Sequence, residues 1–419
     1  MLEITSLINS LSREAATEAG LQLPRRGVTA RAYSVPRVDV ENCKPTVTWR
    51  VTRSCNLHCR NCSNNSASRS EAPELSTEEG LALINDLAAL KVPRLIFAGG
   101  EPLLRPDLLD LVASARKQNL KSGLATDGTL LTLGNDAELR GAGLNSVGIL
   151  LERLGPGVDV HRGTPGAYQA VLEAFANCQA AGLEAEIRVP LTRWNYPELP
   201  AMLDLIEARQ IRRVVFTHLI YGMFGYGIED DTTHAEKRLA LDLIFDRAED
   251  FNRRGLNIAI ATDGNHADAI YFYLRMMRAN PASAAALYPS LRAMSADVQG
   301  AGVGIAGISA NGDVHADPYW TNSVLGNVRE TPFSEIWGKS TDPLLQGLRN
   351  RLPLLKGKCA KCRWKQACGG NVRVRAEKFF GDPWMTDPAC YLTRNEIGKE
   401  IADPVEAMED DVLLEEQAA

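Results

Sequence analysis

No apolar run in these 419 residues is long enough to span a membrane as a helix. No block rich in Lys and Arg stands out either. The formal net charge is −6 and the pI about 5.7, so a nucleic-acid surface is not expected. The N-terminal stretch MLEITSLINSLSREAATEAG lacks a basic leader ahead of an apolar core and reads as a short amphipathic helix. These absences point to the cytoplasm. A reducing compartment in turn removes disulfides as the use of the nine cysteines. Internal repeats are lacking as well.

What is present is a chain with 45% hydrophobic residues, enough for one large domain and a smaller one. Residues 1–44 read as an irregular extension. From Thr46 strands and helices alternate. TVTWRVT, RLIFAGG, KSGLAT, NSVGILL, EAEIRVPLT and RRVVFTHLI have strand character, and a helical pattern follows each. The first helix opens with a capping box, Ser76 with Glu79. Over residues 45–255 this predicts an α/β fold with a parallel sheet. The expected architecture is a partial (β/α)6 TIM-type barrel with function in the loops after the strands. Residues 256–300 are expected to be a helical connector, with NIAIAT a candidate further strand. Residues 301–400 form a small loop-rich C-terminal domain that opens with a hairpin turned at Asn311-Gly312. Residues 401–419 are an acidic tail.

Seven cysteines fall in two groups, and clusters in a reducing compartment suggest metal. The first group is CNLHCRNC, with Cys55, Cys59 and Cys62 spaced C-x3-C-x2-C after the first strand of the alternation. Three thiolates are one short for a tetrahedral zinc or a cubane iron–sulfur cluster, and no fourth cysteine lies nearby. GGEP, residues Gly99 to Pro102, ends the second strand. Paired glycines let a ligand approach the backbone. The Glu101 carboxylate and exposed carbonyls suit an ammonium group. The two features together point to a small molecule with an amino group as the missing ligand, with structural zinc as the plain alternative.

C-x3-C-x2-C after one strand and GGEP after the next resemble the radical S-adenosylmethionine (radical SAM) superfamily. The resemblance implies that Cys55, Cys59 and Cys62 hold a 4Fe–4S cluster. SAM would chelate its open iron through its amino and carboxylate groups, and one-electron cleavage would release a 5′-deoxyadenosyl radical. It implies a flavodoxin or ferredoxin type electron donor. It also implies SAM contacts at Gly99, Gly100, Glu101, Pro102, Thr126 and Arg188. Where relatives often carry T-N-G, this chain has Thr126-Asp127-Gly128. Where they carry ribose-binding Ser and Asp, it has GILLERLG, with Glu152 as the one acid.

The second group is Cys359, Cys362, Cys368 and Cys390, C-x2-C-x5-C-x21-C. Four thiolates close either a zinc site or a 4Fe–4S cluster. The superfamily resemblance favours an auxiliary cluster in a SPASM or twitch type domain, giving two 4Fe–4S clusters in all. Of the remaining cysteines, Cys178 reads as a buried core thiol and Cys43 has no assigned place. CGGNVRVRAEKFFGDPWMTDPACYL, HADPYWTNSVLGNVRE and LLQGLRNRLPLLKGKCAKC are similar to the NirJ-type group of heme d1 biosynthesis and its alternative-heme relatives. These trim side chains from 12,18-didecarboxysiroheme, an iron tetrapyrrole. Read as a strand, NVRVRAE puts Arg373 and Arg375 on one face, where they could pair with propionates; a solvated basic face is the alternative. His218 and His315 are candidate ligands of the substrate iron, with core hydrogen bonding the plainer reading. YGMFGYG after the sixth strand is a candidate cover for a flat ring. A peptide-crosslinking radical SAM enzyme is the competing class. Such enzymes often carry an N-terminal peptide-binding domain, for which residues 1–44 are short and poor in strands. A third class, a non-enzymatic metal protein, is disfavoured by GGEP and the open ligand position.

Overall fold

The computed structural model describes residues 1–9, 43–59, 62, 73–221, 226–281, 284 and 300–398. Arg60 and Asn61, the tip of the 222–225 loop, most of the extension and the acidic tail lie outside the described residues.

Among the described residues the framework is one sheet of eleven strands. In chain order they are β1 (Leu2–Glu3), β2 (Thr46–Thr52), β3 (Leu95–Gly99), β4 (Ser122–Thr126), β5 (Ser146–Leu150), β6 (Ala185–Leu191), β7 (Arg213–His218), β8 (Ala259–Asp263), β9 (Ile305–Ile308), β10 (Asp313–His315) and β11 (Gly326–Asn327). From β2 to β8 each strand pairs parallel with the next, and helices connect them. Crossover helices cover one face of such a sheet, which is the construction of a partial (β/α) barrel. NIAIAT supplies β8, so the barrel has one more unit than the six expected.

The sheet also crosses the boundaries expected at 255 and 300. β9 pairs parallel with β2, Thr46 opposite Ile305 and Trp49 opposite Ile308. The expected hairpin is β9–β10, and Gly312 at its turn has φ 94°, a left-handed value that favours glycine. At the other edge β1 pairs antiparallel with β8, and residues 4–9 are helical. The extension therefore contributes to the barrel. Among the described residues no helix is long and apolar enough to cross a membrane.

The two faces of the sheet differ in chemistry. Val47, Trp49 and Val51 of β2 are buried under the helices. Alternation turns Thr48 and Arg50 to the opposite, concave face. Register brings Glu186, Arg188, Arg213, Asp263 and Glu3 to that same face. There they form a chain of ion pairs. Arg213 meets Glu3 at 2.6 Å and Glu186 at 2.9 Å, and Arg188 meets Glu186 at 2.8 Å.

The helix Thr77–Ala89 starts at the expected capping box. Ser76 Oγ accepts from the Glu79 N–H at 3.2 Å, and the Glu79 carboxylate accepts from the Ser76 N–H at 2.8 Å. Glu79 also pairs with Arg329 at 2.7 Å, which ties the segment after β11 to the first helix. Losing an N-cap hydroxyl costs about 1 kcal/mol. Ser76→Ala is therefore expected to lower the unfolding free energy by that amount, read as a lower urea midpoint with an unchanged slope. An unmoved midpoint would mean that this cap does not hold the helix.

Candidate active site

The cysteine loop leaves β2 and is docked at once onto the end of β3. Gly100 N–H donates to Thr52 O at 2.8 Å, and Glu101 N–H donates to Ser54 O at 2.7 Å. The approach is too close for any side chain. A Cβ on Gly99 would lie 2.4 Å from Thr52 O, and one on Gly100 would lie 2.2 Å from Ser54 O. Gly99 has φ 153° as well. The paired glycines thus serve chain-to-chain contact on this side, where the sequence suggested only an approach for a ligand.

Glu101 extends the lock to the next strand. Its carboxylate caps the short turn Pro102–Leu104 by accepting from the Leu103 N–H at 3.0 Å. The other oxygen accepts from Thr126 Oγ1 at 2.7 Å and from the Asp127 N–H at 3.0 Å. The group is fully buried. Burial and the neighbouring Asp127 carboxylate push its carboxyl up to about 8. Pro102 and Thr126 are buried in the same joint. Asn56 of the cysteine loop donates to Thr129 Oγ1 at 2.7 Å, past the TDG turn.

The end of β5 joins through Arg162. Its guanidinium contacts both oxygens of Glu152 and donates to Asp127 O at 2.8 Å, while its own carbonyl accepts from the His58 N–H at 3.2 Å. Glu152 is buried in this pair, and its carboxylate is committed to Arg162. Four successive strand ends and the cysteine loop therefore share one hydrogen-bonded rim.

Cys55, Cys59 and Cys62 lie half-buried on that rim. Burial pushes the Cys59 thiol up to about 12 and raises Cys55; Cys62 adds to both shifts, and Cys55 adds to that of Cys59. Three thiolates so placed need a shared cation, and the donor set fits a 4Fe–4S cluster. Arg188 stands on the concave face, half-buried, with Nη1 3.9 Å from Asp263.

The second cysteine set is also brought together. Cys359, Cys362, Cys368 and Cys390 line one cavity with Lys358, Gly370 and Asn371. Burial pushes the Cys362 thiol up to about 12 and raises Cys368 and Cys390. Among the described residues no three His, Cys, Asp or Glu side chains are gathered tightly enough for a single metal ion. Cys178 is buried in the helix Ala167–Ala181, as expected.

The expected substrate groups need correction. Arg373 and Arg375 lie in a helix, Arg373–Phe380, so they do not share a strand face. Ala, Glu and Lys in RAEKFF are good helix formers and outweigh the alternation before them. Arg375 is fully buried and paired with Asp387 through Nε at 2.7 Å and Nη2 at 2.8 Å. Removing one partner of such a pair costs about 3–5 kcal/mol, so its role is structural. Arg373 is buried too. His218 does not face the mouth freely: it is buried, with Nε2 3.0 Å from Asp268. His315 has both ring nitrogens engaged, with Ser309 Oγ and Ser323 O. Both histidines follow the plainer reading.

Other cations occupy the place those arginines were expected to hold. Arg50 donates to Pro318 O at 3.0 Å from the concave face. Burial depresses its pKa more than Tyr319, Cys62 and Asp317 raise it. Lys378 donates to Tyr221 O beside the same group and is likewise depressed, chiefly by burial. The signal was available for Arg50: in TVTWRVT every second residue is polar, which marks a strand whose second face is not apolar. Of the aromatic loop, Tyr226 stacks on His161 at 4.7 Å, and Tyr221 donates to Asp231 at 3.3 Å.

Comparison with known proteins agrees with this geometry. The profile of the Radical SAM superfamily matches residues 49–206. The chain is 41% identical over 359 residues to Fe-coproporphyrin III synthase of Methanosarcina barkeri, covering 85% of this chain and 90% of that protein. It is 39% identical over 367 residues to pre-heme d1 synthase of Dinoroseobacter shibae, covering 87% and 90%. Among solved structures, Streptococcus suis SuiB bound to its precursor peptide SuiA superimposes with a TM-score of 0.65 at 18% identity, over 93% of this chain and 89% of that one. The last likeness concerns the fold alone.

Gly100→Ala tests the docking of the loop. Its methyl group cannot coexist with Ser54 O, so the loop must move. The variant is expected to keep its helical circular dichroism and lose the iron bound by Cys55, Cys59 and Cys62. Retention of full iron would show that the close contact does not position the cysteines.

Proposed function

The chain belongs to the radical SAM superfamily and is an enzyme of heme-related biosynthesis; on that premise we propose that it removes propionate side chains from 12,18-didecarboxysiroheme in heme d1 formation, in the cytoplasm. The observation that carries the reading is the rim where the cysteine loop, GGEP and TDG interlock above a concave face that carries Arg50, with Lys378 close to it. A superfamily member uses a 4Fe–4S cluster with SAM, which supplies one-electron reductive cleavage of SAM to begin radical chemistry. The electron comes from a flavodoxin or ferredoxin type donor.

Each part of the chain has a task in this proposal. Cys55, Cys59 and Cys62 hold the cluster and leave one iron for SAM. Gly99 and Gly100 are half-exposed, and their backbone edge meets the SAM amino group. Glu101, Pro102 and Thr126 act one layer behind, fixing that edge. Glu152 likewise acts through Arg162. Arg188 offers its looser Nη1 edge to the SAM carboxylate. Arg50 and Lys378 receive substrate carboxylates, because a desolvated cation with weak compensation gains most from an anionic partner. The ends of the Tyr221–Gly227 loop flank the same mouth. Cys359, Cys362, Cys368 and Cys390 hold an auxiliary 4Fe–4S cluster, supported by four thiols that line one cavity.

The similarity to Fe-coproporphyrin III synthase favours a second reading, in which the same substrate loses acetate arms instead. Anaerobic turnover of 12,18-didecarboxysiroheme followed by mass spectrometry separates the two, because the arms differ by one methylene. Loss of propionate arms is expected. Loss of acetate arms selects the second reading. A chain that ignores every iron tetrapyrrole but processes a peptide overturns both. Arg50→Gln is expected to weaken tetrapyrrole binding about tenfold, as loss of one charge-assisted contact should, with iron content at the wild-type level. Unchanged affinity would remove Arg50 from the substrate site.

A further inference from the structure

The four-cysteine cavity has a buried cation in its wall and another behind it. Lys358 lines the cavity and donates from Nζ to Cys390 O at 3.1 Å. Arg373 lies behind Gly370, another lining residue. A Cβ on Gly370 would meet Leu355 Cδ2 at 2.4 Å and would come within 3.2 Å of the Arg373 guanidinium carbon, so the charge lies close behind the cavity backbone. Both side chains are almost completely buried.

Arg373 is incompletely used by the fold. Its Nη1 donates to Pro383 O at 3.0 Å and to Met385 O at 2.6 Å. Nε and Nη2 are buried without a hydrogen-bond partner. The nearby carboxylates are committed elsewhere, Asp387 to Arg375 and Asp382 to Lys356. The Arg373 charge acts on the Cys368 thiol, and the Lys358 charge acts on Cys362 and Cys390. A desolvated guanidinium with two idle nitrogens beside four thiols is the arrangement a buried anionic centre would satisfy.

We propose that Lys358 and Arg373 are the charge partners of the auxiliary cluster and hold its one-electron reduction potential up. The inference rests on the reading of the four cysteines as 4Fe–4S ligands. A cluster bound by four thiolates is anionic, and reduction adds one more negative charge. A fixed cation in a low-dielectric wall therefore favours the reduced form. The two residues are positioning residues. They act on the cluster and not on the tetrapyrrole.

The test uses the full chain with Cys55, Cys59 and Cys62 replaced by Ala, so that only the C-terminal set can carry a cluster. Iron and zinc are counted, and the midpoint potential is measured by redox titration with electron paramagnetic resonance detection. Arg373→Gln and Lys358→Met are each expected to retain about four irons, as one cubane requires. Each is expected to shift the ratio of oxidised to reduced cluster at least tenfold at fixed potential, a fall of about 59 mV for one electron. Arg373→Lys keeps the charge and is expected to stay near the parent. Full iron with an unmoved midpoint in both neutral variants overturns the inference and leaves the cluster reading standing. Zinc, or no metal, in the parent overturns the cluster reading and this inference with it. Should Arg373→Gln fail to hold iron, Lys358→Met decides, because it leaves the contacts to Pro383 and Met385 intact.

Discussion

Everything at the mouth of this barrel depends on one backbone contact. The chain after β3 passes the chain after β2 so closely that Gly100 has no room for a Cβ beside Ser54 O. Two hydrogen bonds seal the contact, and from there the lock spreads. Glu101 carries it to Thr126 and Asp127, Asp127 O carries it to Arg162, and Arg162 carries it to Glu152 and back to His58. The described part of the cysteine loop is thereby held in place without being a regular element. Rigidity of this kind is what a site-differentiated metal centre needs, because its ligands must hold position while its last coordination site stays open.

The sheet joins this mouth to the C-terminal segment more directly than a two-domain picture implies. β9 lies beside β2, the strand that leads into the cysteine loop. The hairpin that follows delivers Pro318, Tyr319 and Asp317 onto the concave face, against Arg50. Arg375 then reaches Leu219 O after β7, and His266 Nδ1 meets Cys368 O. The four-cysteine segment is thus pinned to the ends of β7 and β8. The two sites are therefore joined through paired strands and buried hydrogen bonds.

Legibility from sequence followed the range of the interactions. The strands of TVTWRVT and its successors, the capping box at Ser76 and the hairpin turn at Asn311-Gly312 are local features, and the fold repeats them. The two cysteine groups were legible as groups because most of their spacing is local. The roles of Arg373 and Arg375 were not. NVRVRAE alternates like a strand, and the partner that buries Arg375 lies on a separate loop at Asp387. The partner of His218 was hidden for the same reason, since Asp268 is fifty residues away. The pairing of β9 with β2 is longer in range still. Arg50 could have been found, because its alternation with Trp49 and Val51 places it on the face away from the helices.

The central claim is that Cys55, Cys59 and Cys62 leave one iron of a cluster open at this rim and that SAM fills it. The most direct measurement is pulsed electron–nuclear double resonance on the reduced protein with SAM labelled with nitrogen-15 in its amino group. A coupling between that nitrogen and the cluster, lost in Cys59→Ala, is what the account predicts. A fully loaded first cluster that binds SAM and shows no such coupling would contradict it.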